Sequence, residues 1–147
     1  MKIKLSGLAA GALLSVLATT ALAQDALPYK EGVVVVVTSV RTEPGQFNNY
    51  MRYLAGDYKK MMDEAKAQGL IVDYAHYSAQ PTSPSDPDLY TTIVYPNFAA
   101  FDGLSDKMAA ISAKVFGSRS GAEKAQVDRE SLRKVLGSEV IQHLETK

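Results

Sequence analysis

The sequence predicts an α+β fold, and three features of the 147-residue chain lead to this prediction. A run of valines near the start is typical of a buried β-strand. Two stretches carry apolar residues at spacings of three and four, which is the pattern of amphipathic helices. Three further segments are short and rich in β-branched or aromatic residues, as strands are. The predicted order is β-α-β-β-α-α-β.

The first 23 residues have the features of a secretory signal peptide. Lys2 and Lys4 precede a short apolar run, and Ala21-Leu22-Ala23 forms a small-x-small cleavage site. The run is short for a membrane span, although an uncleaved anchor is the alternative. We therefore expect cleavage after Ala23, a periplasmic or secreted protein without membrane association, and a single domain over residues 24–147.

Composition excludes several classes of function. The chain has no cysteine, which removes thiol nucleophiles, thiolate metal sites and redox motifs. Without Lys2 and Lys4, 14 of the 16 basic residues remain against 16 acidic ones, so there is no basic excess for binding nucleic acid. An exported domain without disulfides must be held together by packing, which can include a partner subunit.

Residues 33–69 predict the first strand and the first helix. Val33 to Val37 form an unbroken β-branched run, which predicts a strand buried on both faces. Pro44 fits the first position of a helix that we expect over residues 45–68 and that Gly69 ends. Gly56 marks either a bend in this helix or a close approach of its backbone to a neighbour. The apolar stripe of this helix consists of Phe47, Tyr50, Met51, Leu54, Tyr58, Met61, Met62 and Ala65.

The second half of the chain predicts a hairpin, two helices and a last strand. The hairpin strands are "LIVDYAHYSAQ" and "DLYTTIVYP", joined by the loop "PTSPSDPD" at residues 81–88. Asn97 is the expected N-cap of a helix ending at Gly117, and Ser120 to Glu123 form a capping box for another helix over residues 121–136. The segment "SEVIQHLET" after Gly137 is the last strand.

This element order predicts a ferredoxin-like split βαβ sandwich with a four-stranded, mainly antiparallel sheet. The helices of such a fold cover one face of the sheet only. Because the first strand is apolar on both faces, the second face also needs a cover. In a chain this small, the simplest cover is a second copy, so we predict a homodimer that forms a dimeric α/β barrel.

The residues also resemble a known family. The first strand leading into "RTEPGQF", the long helix, the hairpin ending in "YTTIVYPNFAAFD" and the final strand are similar to the dimeric α/β-barrel superfamily. Antibiotic-biosynthesis monooxygenase-like and NIPSNAP-like domains belong to it, and the resemblance covers residues 32–146. In that superfamily two sheets face each other and enclose a pocket, which implies a small-molecule site between the subunits.

The family hosts several chemistries, so the resemblance does not select one. Its haem-degrading branch uses a helix-borne histidine with tryptophan and asparagine nearby. This chain has no tryptophan, and neither His76 nor His143 lies on a predicted helix. The sequence therefore argues against haem degradation, and we predict no cofactor.

The candidate site residues lie on the predicted hairpin. His76 is one of two histidines, and a histidine that titrates near neutral pH suits a proton acceptor. If His76 pairs with Ile93, then Tyr74 pairs with Tyr95 on the same face; a shift by one residue moves Tyr74 and His76 to the face of Tyr90. We predict His76 as the catalytic candidate and Tyr74, His76, Tyr90 and Tyr95 as ligand-binding residues.

Each of these residues also has a structural interpretation. His76 could be a hydrogen-bonded histidine at the sheet surface or at the dimer seam, and strand tyrosines commonly occupy cores and interfaces. No HxH, HxxxH or HExxH spacing is present, so we predict no metal site.

Three functions remain open at this stage. The first is an exported protein that binds a small apolar or aromatic compound between the sheets of a homodimer. The second is a cofactor-independent oxygenase or isomerase that acts on a small aromatic compound, with His76 as proton acceptor. The third is a structural or interaction dimer without catalysis.

Overall fold

A computed structural model of the protein describes residues 27–147, so the predicted signal peptide and its cleavage site lie outside the described residues. The strands are β1 (Tyr29–Thr42), β2 (Asp73–Ser78), β3 (Leu89–Tyr95) and β4 (Arg133–Thr146). The α-helices are α1 (Phe47–Tyr53), α2 (Lys59–Ala67), α3 (Leu104–Val115) and α4 (Arg119–Glu130). A π-helical turn (Leu54–Tyr58) joins α1 to α2, and a 3₁₀ turn (Phe98–Phe101) precedes α3.

The four strands form one sheet in the order β2-β3-β1-β4, with every neighbouring pair antiparallel. The β2–β3 hairpin pairs directly, and β3 lies between β1 and β2. This topology confirms the predicted ferredoxin-like α+β fold.

The helices pack on one face of the sheet and bury two apolar clusters. The larger cluster joins Val34 and Tyr95 of the sheet to Met61, Met62 and Ile111 of the helices, together with Ala65 and Ile71. The smaller cluster consists of Val40, Tyr50, Leu54 and Leu89. Helical and strand periodicity in the sequence bring these residues to the same interface, because each element is apolar on the side that it buries.

The long helix bends at Gly56, which is the first of the two roles that the sequence predicts for this glycine. The backbone of Gly56 is non-helical, with φ −99° and ψ −106°, inside the π-helical turn between α1 and α2. Helix kinks of this kind occur at glycine and at π-bulges. The bend lets Leu54 pack in the smaller cluster while Met61 and Met62 pack in the larger one.

Two predicted helix starts are wrong. The long helix begins at Phe47 with Gln46 as N-cap, so Pro44 precedes the helix instead of occupying its first position. Gly45 has a φ of 77°, a left-handed conformation that separates Pro44 from the helix. The segment after Asn97 forms a short 3₁₀ turn, and α3 starts only after Gly103, whose φ is 64°.

The last helix and strand also differ from the prediction. Ser118, and not Ser120, caps α4: its hydroxyl accepts a hydrogen bond of 2.9 Å from the Gly121 N–H. The helix ends at Glu130 instead of residue 136, and β4 starts at Arg133 instead of residue 138. Pairing with β1 decides this boundary, because a β-bulge at Leu136 lets β4 continue along β1 on both sides of that residue. No helix among residues 27–147 is both long and apolar enough to cross a membrane.

Candidate functional site

Tyr74 and His76 lie on the face of the sheet that the helices cover. Residues directly opposite each other in an antiparallel sheet share a face. Tyr74 is opposite Ile93, which is opposite Val36, and all three pack against the larger core cluster. His76 lies two residues further along β2 and therefore points to the same side.

The hairpin register separates the four residues predicted to bind a ligand. His76 is opposite Thr91 and not Ile93, but the difference is two residues, so Tyr74, His76 and Tyr95 still share one face. Tyr95 is buried in the larger cluster, where its ring lies 4.7 Å from that of Phe101. Tyr90 lies on the opposite face of the sheet. The four residues therefore do not meet in one pocket, and their role in ligand binding stays a prediction.

His76 packs among tyrosines beneath the helical layer. Its ring centroid lies 5.5 Å from that of Tyr58 and 6.0 Å from that of Tyr74, whose hydroxyl donates a 2.7 Å hydrogen bond to Asp63. Burial lowers the pKa of His76, and its buried Nδ1 has no hydrogen-bond partner among the described residues. Burial likewise raises the pKa of Tyr58. His76 is therefore held as a neutral imidazole.

The other face of the sheet carries no helix. Three rows of paired residues cross it: Asp73, Val94, Val35 and Ile141; Ala75, Thr92, Val37 and Glu139; Tyr77, Tyr90, Ser39 and Gly137. We call these rows the helix-free face. Its centre is apolar along β1, and Tyr77 and Ile141 remain 56% and 49% exposed. An apolar sheet surface left open to water is typical of an interaction or ligand-binding surface.

A cleft opens at one end of the helix-free face. Its volume is about 470 Å³, and its lining combines the third row of the face with neighbouring residues of β4 and of the loop after β2. The lining residues are Ser39, Ser85, Pro87, Tyr90, Leu136, Gly137, Ser138 and Glu139. One tyrosine ring, three serines and one carboxylate therefore surround a space of the size that small-molecule sites have.

The loop over residues 79–88 forms a fixed rim for this cleft. The Asp86 carboxylate accepts hydrogen bonds from the backbone N–H and the hydroxyl of both Thr82 and Ser83, and these bonds, first that of the Thr82 hydroxyl, lower the pKa of Asp86. The Asp88 carboxylate accepts a 3.0 Å hydrogen bond from the Thr42 N–H, and Arg41 donates one of 2.9 Å to the Asp86 carbonyl. These bonds tie the end of the loop next to β3 to β1, and a 2.8 Å hydrogen bond from the Ala79 N–H to the Asp88 carbonyl joins the other end to it. This arrangement argues for a rim and not a moving lid.

The fold and the cleft define the class of this protein: a ferredoxin-like α+β domain with one uncovered sheet face. Within residues 27–147, no group of three or more His, Asp or Glu side chains is arranged to hold a metal ion.

Comparisons with known proteins add little to this description. No family model matches the chain, and no curated protein matches it. Among solved structures, the chain is similar to the crystal structure of HapK from Hahella chejuensis. The identity is 14% and the TM-score 0.47, over 78% of this chain and 95% of HapK. A likeness of this extent carries no argument about what this chain does.

Sequence reasoning missed most of the cleft. Among the residues that line the cleft, Tyr90 alone is predicted from the sequence to bind a ligand, because the prediction rests on the tyrosines of the hairpin. Glu139 and Ser138 come from the first part of the predicted last strand, and Leu136 was expected at the end of a helix. Strand alternation could have identified Glu139 as a neighbour of Val37, but only once the register between β1 and β4 is known.

Proposed function

We propose that this chain is an exported homodimer that binds a small aromatic or apolar compound between the helix-free faces of its two copies. The proposal includes the signal peptide predicted over residues 1–23 and membership in the dimeric α/β-barrel superfamily. The observation that carries it is the apolar helix-free face with its cleft.

The size of the helix-free face supports a second copy as its cover. Four strands spaced 4.7–4.9 Å apart, with a rise of about 3.3 Å per residue over residues 33–41 of β1, give a footprint of about 20 Å by 30 Å. Stable interfaces bury about 800 Å² of accessible surface on each partner, which a pleated footprint of this size can supply. A two-fold arrangement lets the same apolar centre pack against itself.

The composition of the cleft supports a neutral or cationic aromatic ligand. Tyr90 offers a ring for stacking, and Ser39, which lies opposite Tyr90 on the same face, offers a hydroxyl group for orienting polar atoms. Glu139 is the only charged residue of the lining, and its carboxylate disfavours an anionic ligand. A second copy over the cleft would exclude water and strengthen these contacts.

A catalytic role for His76 in this cleft does not fit the geometry. His76 projects to the helix-packed side of β2, whereas Tyr90 and Glu139 project to the other side. The sheet itself therefore separates the imidazole from a compound bound in the cleft. For this reason we propose binding, and not the oxygenase or isomerase activity with His76 as base.

The neutral aromatic dye Nile red tests the proposal through its fluorescence on titration with the purified protein. We expect a saturable increase for the wild type, and a loss of at least about fivefold in affinity for Tyr90→Ala, since stacking on one aromatic ring contributes about 1 kcal/mol or more. Tyr29→Ala is the matched control, because Tyr29 lies at the far end of β1. Equal affinity of Tyr90→Ala and wild type would contradict the proposal. A dimer that binds no dye would favour the structural alternative.

A further inference from the structure

Two arginines at the junction of α4 and β4 lie over tyrosine rings of α1. The Arg129 guanidinium carbon is 5.6 Å from the centre of the Tyr53 ring, and that of Arg133 is 5.4 Å from the centre of the Tyr50 ring. The two rings are nearly parallel, with centroids 6.1 Å apart. Each guanidinium group therefore lies over a tyrosine ring, and the two rings are stacked on each other.

The hydrogen bonds of these arginines are incomplete. Nη1 of Arg129 donates a 3.0 Å hydrogen bond to the Tyr53 hydroxyl. The Nε atoms of Arg129 and Arg133 are buried and have no hydrogen-bond partner within residues 27–147. A buried donor without an acceptor costs about 1–3 kcal/mol, and more when it is charged.

The neighbouring carboxylates do not neutralise the two arginines. A cleft of about 460 Å³ opens beside Arg129, and its two acidic residues are Asp57 and Asp128. Asp57 pairs with Lys60 at 2.8 Å and Asp128 with Lys124 at 2.6 Å, so each already has a cation. In the part of the chain that the structure describes, neither Arg129 nor Arg133 forms an ion pair with a carboxylate.

Burial is the main influence on the charge of Arg133 at this junction. Burial lowers the pKa of Arg133 and Tyr50 raises it, while the charge of Arg129 lowers it and Tyr53 and Glu130 act in the opposite direction. Two like charges on one ring stack repel each other unless an anion lies between or beside them. Guanidinium groups favour oxyanions because their planar donors match two oxygens at once.

We propose that Arg129 and Arg133 form a binding site for a small oxyanion, either a carboxylate or a phosphate group. Because the Nε atoms are buried, the anion would accept hydrogen bonds from the outer Nη atoms of the two guanidinium groups. It would approach Arg129 through the cleft that this residue lines together with Tyr53. The site lies in the helical layer. It is therefore separate from the cleft on the helix-free face and does not depend on the proposed dimer.

Nuclear magnetic resonance of the arginine Nε–H groups tests this site in the intact wild-type protein. The protein is titrated with sodium phosphate and, separately, with sodium acetate, while sodium chloride keeps the ionic strength constant. We expect saturable shifts of the Arg129 and Arg133 signals and none for Arg119, an exposed arginine at the start of α4. Saturation by acetate alone identifies a carboxylate site, and saturation by phosphate alone identifies a phosphate site.

Two substitutions provide an independent measurement. Arg129→Gln and Arg133→Gln should each lower the affinity for the anion by at least about tenfold, which is the loss expected for one charge-assisted hydrogen bond. Arg119→Gln should bind as the wild type does. If the Arg129 and Arg133 signals do not saturate with either anion, or if Arg119 responds equally, the proposal is wrong, whether or not the glutamine variants fold.

Discussion

Ile141→Glu should dissociate the proposed dimer without unfolding the subunit. Ile141 lies on the helix-free face opposite Val35 and is 49% exposed in the single chain, so the substitution removes little packing within the subunit. In the dimer, the lost apolar burial and the partial desolvation of a carboxylate cost about 3 kcal/mol together. By symmetry the change occurs twice, which gives about 6 kcal/mol and a dissociation constant about 10⁴-fold higher.

Val140→Glu is the matched control, because Val140 precedes Ile141 on β4 and is 53% exposed but points to the other face. Both variants introduce the same charge into the same strand. Analytical ultracentrifugation at micromolar concentration measures the outcome: Ile141→Glu should sediment as a monomer and Val140→Glu as a dimer. If the two variants behave alike, or if Val140→Glu alone dissociates, the helix-free face is not the interface.

Three further predictions concern the subunit. Leu54→Ala should lower the free energy of unfolding by about 3 kcal/mol in a urea titration, because Leu54 is fully buried, whereas Leu144→Ala at an exposed position should change it little. Ser118→Ala should lower the free energy of unfolding by about 1 kcal/mol because it removes the α4 cap, and Ser120→Ala should lower it less. The reverse order would support Ser120 as the cap, as the sequence predicts. Since burial lowers the pKa of His76, the unfolded chain binds more protons, and stability should fall as the pH falls below about 6.5. His76→Gln should weaken this dependence in urea titrations on either side of that pH, and an unchanged profile would refute it.

The fold was predictable because each element carries its own periodicity. The β-branched run from Val33 to Val37 indicates a strand whatever lies beside it, and the apolar stripe that includes Leu54 and Met61 indicates a helix. The end of the last helix was not predictable in this way. Residues 131–136 are compatible with a helix by local pattern, and only pairing of Arg133 with Thr42 and of Val135 with Val40 makes them a strand.

The candidate site was less predictable, because it depends on register. Tyr74, His76 and Tyr77 form a conspicuous group in the sequence, yet alternation sends Tyr77 to the helix-free face and the other two to the helices. Which face receives which residues is decided by the packing of Tyr74 near Tyr58 on the bent helix. A sequence pattern contains the alternation but not this contact.

The consequence of the kink at Gly56 is likewise visible only in the structure. The sequence predicts a bend there from the glycine alone, but not that the bend divides the core into two clusters. On the sheet, a polar row lies between the two clusters: His76, Thr91 and Thr38 are side by side across the strands on the helix-packed face. Apolar side chains pack on either side of this row.

Native mass spectrometry of the purified protein tests most directly whether a second copy covers the helix-free face. It measures the mass of the assembly and that of any retained compound in one experiment. We expect a species with twice the mass of the processed subunit, with or without a small bound molecule, and a monomer for Ile141→Glu. A wild-type protein that stays monomeric at micromolar concentration would contradict the account.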